Sequence, residues 1–184
     1  MKPALVLISL FICVNLVAEE HPQIAESRKI TADFQKALGK KLKQTLQEGG
    51  ALQAIAVCSE QAPGIAAELS TKSGAEVGRI SEKARNGSNA AGPAEREVLA
   101  QFAQALKDEK PVLEYFTVEN LDKAYSAVYM KGIVAQPLCL SCHGETVAPE
   151  ISKAIKKRYP ADKATGYKQG DLRGAFVVKW PKGL

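Results

Sequence analysis

The chain has 184 residues, of which 46% are hydrophobic, 24% charged and 6% aromatic, an ordinary globular composition that excludes a disordered, collagen-like or multi-span membrane protein and fits one domain. Lys and Arg number 25 against 20 Asp and Glu, a formal charge of +5, which is mildly basic and well short of a nucleic-acid-binding extreme. A domain of this size buries roughly 70% of its unfolded surface without a disulfide framework, so the four cysteines read as chemical rather than structural.

At the N-terminus Lys2 precedes an uncharged apolar run from Ala4 to Ala18, closed by Glu19-Glu20-His21-Pro22. The run is shorter than the roughly 20 residues a spanning helix needs and ends on a small residue, as in a secretory signal peptide cleaved after Ala18. The expectation is a signal segment over 1–18 and one exported, periplasmic domain over 19–184, with an uncleaved anchor as the alternative. Cleavage removes Cys13 and leaves three cysteines. An odd number in an oxidising compartment leaves at least one thiol free, bonded to another chain, or occupied by something other than sulfur.

Ile30, Phe34, Leu38, Leu42 and Leu46 recur every four residues, predicting a long amphipathic helix that ends at Gly49-Gly50. Ala51, Leu52, Ile55, Cys58 and Ala62 mark the apolar face of a shorter helix that Pro63 ends or kinks. A polar loop from Lys83 to Gly92 leads through Pro93 to a helix marked by Val98, Phe102 and Leu106. Val112 to Val118 and Ala124 to Val134 read as strands, Ile151, Ala154 and Ile155 lie in a helical region, and Gly174 to Trp180 is a terminal strand closed by Pro181. Helices followed mainly by strands predict an α+β fold with an antiparallel sheet.

The chemistry concentrates at Cys139-Leu140-Ser141-Cys142-His143, the pattern of covalent haem attachment. With the chain's own Cys and His frequencies the pattern arises by accident on the order of one time in a thousand. Two thiols at this spacing add to the two vinyl groups on one edge of the macrocycle, and the adjacent imidazole turns to the iron. Cys139 and Cys142 are therefore the expected thioether anchors of one haem c, and His143 the expected iron ligand. A redox CxxC pair would open a helix in a βαβ pattern, which this region lacks. A zinc site would need four ligands, and beyond the cluster only Cys58 and His21 remain. A plain Cys139–Cys142 disulfide would leave His143 unexplained.

The sixth iron position is open to His, Met, Cys, Lys, Tyr, a terminal amine, water or nothing, and three residues are the usual candidates. His21 lies close to the mature N-terminus, and Met130, the only mature methionine, precedes the motif, whereas small electron-transfer cytochromes usually take theirs from well after it. Cys58 is the third, although the helical pattern by itself favours it as a small core hydrophobe.

Several stretches resemble the PAS-like c-type haem domain family, exported modules found alone or as sensor domains. They are Ala56-Val57-Cys58-Ser59 with Ala62-Pro63, Arg79-Ile80-Ser81, Lys83-Ala84-Arg85-Asn86 with Asn89, Cys139 to Gly144, Tyr159-Pro160-Ala161-Asp162, Gly166-Tyr167 and Gly170 to Ala175. Gly87 and Ala90 stand where the family usually carries proline. The resemblance implies a PAS-like antiparallel sheet with long N-terminal helices, and Cys58 with His143 as the axial pair of a single c-type haem.

Arg79 and Arg85 are candidates for holding haem propionates, since a guanidinium binds a carboxylate bidentately; loop-stabilising hydrogen bonds are the alternative. Lys40, Lys41 and Lys43, like Lys156, Lys157 and Arg158, read as solvated faces or as docking ground for an acidic partner. Nucleic acid is not an expected partner of an exported chain. No distal acid–base pair can be named, so catalysis is not expected. The expected function is redox or small-ligand sensing, with periplasmic electron transfer as the alternative.

Overall fold

The computed structural model describes residues 20–109, 113–119 and 124–183. The expected signal segment 1–18 and Val112 lie outside them. No helix among the described residues is long and apolar enough to cross a membrane.

Helix α1 spans Pro22–Ala56. It opens with a proline, whose missing N–H is one of the unpaired donors of a first turn in any case, and the His21 ring accepts from Gln23 N at 3.4 Å. Ile30 and Phe34 of the expected stripe are buried, whereas Leu38, Leu42 and Leu46 are only half-buried. The first turns pack on the sheet, and the later three leucines belong to neither of its face cores. The expected stop at Gly49-Gly50 is a break inside the helix: Gly50 takes φ 68° and ψ −171°, a left-handed φ that glycine adopts freely, and helical structure resumes to Ala56.

The segment carrying Cys58 departs from the expected α-helix. Val57–Gln61 is a π-helical turn, followed by α2 over Ala62–Ser73. Pro63 has no N–H to return to Ser59 O, and its ring crowds that carbonyl. The backbone widens by one residue, so that Ala62 N–H donates to Val57 O.

The sheet comprises β1 Glu76–Ile80, β2 Glu114–Thr117, β3 Tyr125–Val134 and β4 Leu172–Pro181. All pairs are antiparallel, in the order β1-β4-β3-β2. The terminal strand expected at Gly174–Trp180 thus lies inside the sheet, which explains the burial of Ala175 to Val178. Strand β1 was not expected: it is five residues long with Gly78 at its centre, too short for an alternating pattern to stand out.

Both faces are covered. Helix α3, Pro93–Lys107, packs Val98, Leu99 and Phe102 on Met130, Ala175 and Val177. On the other face α1 and α2 bring Ile30 and Leu69 against Ala127, Tyr129, Val178 and Trp180. Each large side chain buried this way contributes about 1.5–3 kcal/mol relative to exposure, so two apolar layers hold the sheet. The polar register point is Trp180 Nε1, which donates to the buried Ser27 Oγ at 2.9 Å. The architecture is α+β, as expected. Two short helices, α4 Leu140–His143 and α5 Pro149–Arg158, fill the connection from β3 to β4.

Candidate functional site

The Cys-x-x-Cys-His segment is wound from two short turns. Gln136 caps a 3-10 turn over Pro137–Cys139, which runs directly into α4, so Cys139 ends the first turn and Cys142 and His143 end the second. Gly144 closes the turn by donating to Leu140 O at 2.9 Å. A Cβ at residue 144 would stand 2.6 Å from that oxygen, so the close approach requires glycine. A second segment then lies alongside: Tyr167 N donates to His143 O and Gly166 N to Gly144 O, both at 3.0 Å.

The His143 ring is held from behind. Its Nδ1 lies 2.7 Å from Ala164 O. A carbonyl only accepts, so Nδ1 carries the proton and Nε2 keeps its lone pair. Burial and the charges of Arg173 and Arg85 push His143 down to about 3, which keeps the imidazole neutral. The Tyr167 ring meets it edge-on, 6.3 Å between centroids.

Arg85 ties this segment together. Its Nε donates to Asp162 Oδ1 at 3.1 Å, and its Nη2 reaches Cys142 O at 2.6 Å and Ala164 O at 3.2 Å. The ion pair is buried, with side-chain exposures of 9% and 8%. Asp162 Oδ1 also accepts from Ala164 N at 2.9 Å.

Cys58 enters from the π-helical turn, half-buried and unpaired, as are Cys139 and Cys142. Burial pushes the Cys142 thiol up, and Cys58 and Cys139 are both near enough to add to the rise. Tyr159, at the end of α5, is raised by burial and interacts with Ser59 and with Cys58. Nearby, Arg158 pairs with Glu60 at 2.6 Å. Arg79 projects from β1 on the α1 face, its guanidinium over the Phe34 ring, and it acts electrostatically on both Cys58 and His143. The fold therefore brings three thiols and one imidazole, separated by 85 residues of sequence, into one neighbourhood.

That neighbourhood is electropositive. Arg79 and Arg173 are both pushed down by burial, and Arg173 feels the repulsion of Arg85 and Arg79. Arg173 Nη1 donates to Ser81 Oγ at 2.9 Å, and Arg173 and Lys83 both lie over the Tyr167 ring. Asp162 is the carboxylate that faces this group.

The other ligand candidates lie elsewhere. Met130 is fully buried in the α3-side core, on the sheet face opposite Arg79. His21 packs on Phe116, 5.0 Å between centroids, at the far edge strand β2. No group of three or more His, Cys, Asp and Glu among the described residues could hold a metal ion by itself. Asn86 caps the turn Gly87–Asn89 through Ser88 N, and Ser81 N donates to Asn89 O at 2.8 Å, so the loop is tied down without the family's prolines.

Arg173, Asp162, Ala164 and Tyr159 were not singled out from the sequence as site residues. Tyr159, Asp162 and Arg173 belong to stretches that carry the family resemblance, which is the available signal, whereas Ala164 lies between two of them. Their roles depend on contacts made across 57 to 92 residues, beyond the reach of local pattern. A groove of about 560 Å³ between α1 and α2, lined among others by Lys29, Asp33, Lys36 and Glu68, contains no cysteine or histidine.

The profile of the Tll0287-like family matches residues 18–181. A solved structure, described as the crystal structure of the cyanobacterial heme-protein Tll0287, is similar with a TM-score of 0.68 and 26% identity, over 89% of this chain and 98% of that chain. No curated protein matches. With a family profile spanning almost all of its described residues, the chain belongs to the Tll0287-like family.

Proposed function

We infer that the chain is an exported haem protein that would hold one c-type haem through Cys139 and Cys142, with His143 and Cys58 as its iron ligands, and that it works in redox or small-ligand sensing. The observation that carries this reading is the pairing of an imidazole whose Nδ1 is capped by Ala164 O with a second unpaired thiol, Cys58, in the same arginine-rich neighbourhood. The relative with a solved structure is itself described as a heme-protein.

The residues present fit the group. Two unpaired thiols at the attachment spacing, an imidazole with its lone pair on Nε2, and buried arginines in excess of carboxylates are the complement of a macrocycle that brings vinyl groups, an iron and two propionates. Haem bound here supplies an iron that takes and gives one electron. Ala164 O fixes the His143 tautomer and raises the donor strength of the ring. Cys58, as a soft anionic ligand, favours the ferric state and lowers the reduction potential relative to Met/His ligation. Arg79 and Arg173 offset the thiolate and propionate charges, while Arg85 is engaged with Asp162, Cys142 and Ala164. Cys58 sits on a π-helical turn, so a change in what its thiol holds would be carried by that turn, which would then serve as the two-state element of a sensor.

Electron transfer is the second reading. It is favoured by Lys153, Lys156 and Lys157, which are exposed along α5 beside the Cys58 turn, where an acidic redox partner would dock.

The test is low-temperature EPR of the ferric protein, matured in a host that attaches c-type haem, beside its Cys58→Ala variant. A low-spin thiolate-type signal lost on substitution is expected. Identical spectra would remove Cys58 as a ligand. Carbon monoxide binding to the ferrous protein favours sensing, and its absence over the accessible pH range favours the carrier.

A further inference from the structure

We propose that Arg85 and Asp162 are positioning residues for His143, acting through the Ala164 carbonyl to fix the ring plane and the donor strength of the imidazole. The proposal rests on the haem reading above.

His143 has one partner at Nδ1, the carbonyl oxygen of Ala164 at 2.7 Å, and Asp162 and Arg85 grip that same residue from both ends. Asp162 Oδ1 accepts from Ala164 N at 2.9 Å, and Arg85 Nη2 donates to Ala164 O at 3.2 Å. The carboxylate and the guanidinium are bonded to each other at 3.1 Å and 3.3 Å. Arg85 Nη2 also reaches Cys142 O at 2.6 Å, one residue before the histidine. One buried ion pair therefore locks the acceptor of the His143 proton to the backbone that carries His143.

Backbone geometry alone does not hold Ala164 this firmly, because it lies in the irregular stretch between α5 and β4. A carbonyl in such a segment is free to turn unless something fixes it. The planar fork of arginine suits this role because its donors cannot rotate independently. A partner that holds a ligating histidine's second nitrogen sets its orientation and basicity. Neither Arg85 nor Asp162 bonds to Nε2, so both act through Ala164.

Arg85→Lys separates geometry from charge: it keeps the cation and loses the fork. Asp162→Asn keeps an acceptor for Ala164 N and loses the ion pair. Both are read in the haem-loaded full chain by ferric EPR, by redox titration and by thermal melting. In both variants the expected result is a broadened and shifted low-spin g pattern. In Arg85→Lys the reduction potential moves upward, because a less firmly held imidazole is a weaker donor to ferric iron. Variants that melt earlier but keep the wild-type g values and potential would overturn the proposal and leave the pair as a loop staple. Failure of both to attach haem would also count against it, since Arg85 bonds the Cys142 carbonyl and the pair would then serve the attachment segment rather than the His143 ring. If the wild type itself carries no covalent haem, the haem reading falls first and this inference with it.

Discussion

The guanidinium carbon of Arg79 stands 5.6 Å from the centroid of the Phe34 ring, on the sheet face covered by α1. The groups that favour its charge are a thiol and a phenol, Cys58 and Tyr159. A buried cation without a carboxylate is costly, and the arrangement is explained if an anion completes it. Arg79→Met is expected to lower the reduction potential of the haem-loaded protein by the equivalent of about 1–2 kcal/mol, taking an effective dielectric of about 20 and a separation of about 10 Å. An unchanged midpoint in a spectroelectrochemical titration would place Arg79 away from the iron.

Strand β4 slips in register against β3 beside the site, where Ile133 pairs with Gly174 and Val134 with Leu172. Gly174 has φ 151°, and a Cβ there would stand 2.2 Å from Ile80 O. The glycine lets β1 approach beside Arg173 and Ser81, whose side chains bond at 2.9 Å. Gly174→Ala is expected to destabilise the fold by about 1–3 kcal/mol through backbone strain, read as a lower urea midpoint at unchanged m.

Trp180 is the sole tryptophan, and its indole N–H is satisfied by the buried Ser27. Ser27→Ala leaves that donor without its partner and is expected to cost about 1–3 kcal/mol. Denaturant unfolding followed by the fluorescence of this residue gives the value. A variant as stable as the parent would show that water replaces the hydroxyl.

Glu114 accepts from Arg28 Nε at 2.6 Å and from the Tyr129 hydroxyl at 2.6 Å. The bond from Arg28 foremost holds its carboxyl below the usual range. A depressed folded value means that this contribution is complete above the unfolded carboxyl value of about 4.3 and is lost as pH falls through the folded value. Glu114→Gln is therefore expected to lower stability at pH 7 and to flatten the acid limb of a stability-against-pH curve measured from pH 7 to 3. A parallel curve for the variant would contradict the assignment.

The family and much of the fold were legible in residue types and spacing. The motif at Cys139 to His143 carries its chemistry in five consecutive positions, and the stripe through Ile30 and Phe34 and the strands around Met130 and Val177 appear as local periodicity. The π-helical turn at Cys58 was half legible, because Pro63 announces that an α-helix cannot continue unchanged but does not say how the chain will adjust. Strand β1 was hidden by its brevity and its glycine. The roles of Arg85 and Arg173 were hidden for another reason: an arginine looks the same in sequence whether it meets solvent, a carboxylate or a carbonyl.

Residue types and spacing supply the groups: two thiols and an imidazole in the pattern of covalent haem attachment, a third thiol, and a modest excess of basic over acidic residues. Only the tertiary structure decided which of them meet. Met130 and His21 were chemically eligible, yet strand parity turns Met130 into the α3-side core and helix capping holds His21 at the opposite edge of the sheet. Cys58 reaches the same neighbourhood as His143 because α1, β1 and the segment after α5 converge there, through Arg79, Arg85 and Tyr159. Ligand identity is a property of side chains, whereas ligand proximity depends on packing between segments far apart in the chain, and local spacing cannot encode that.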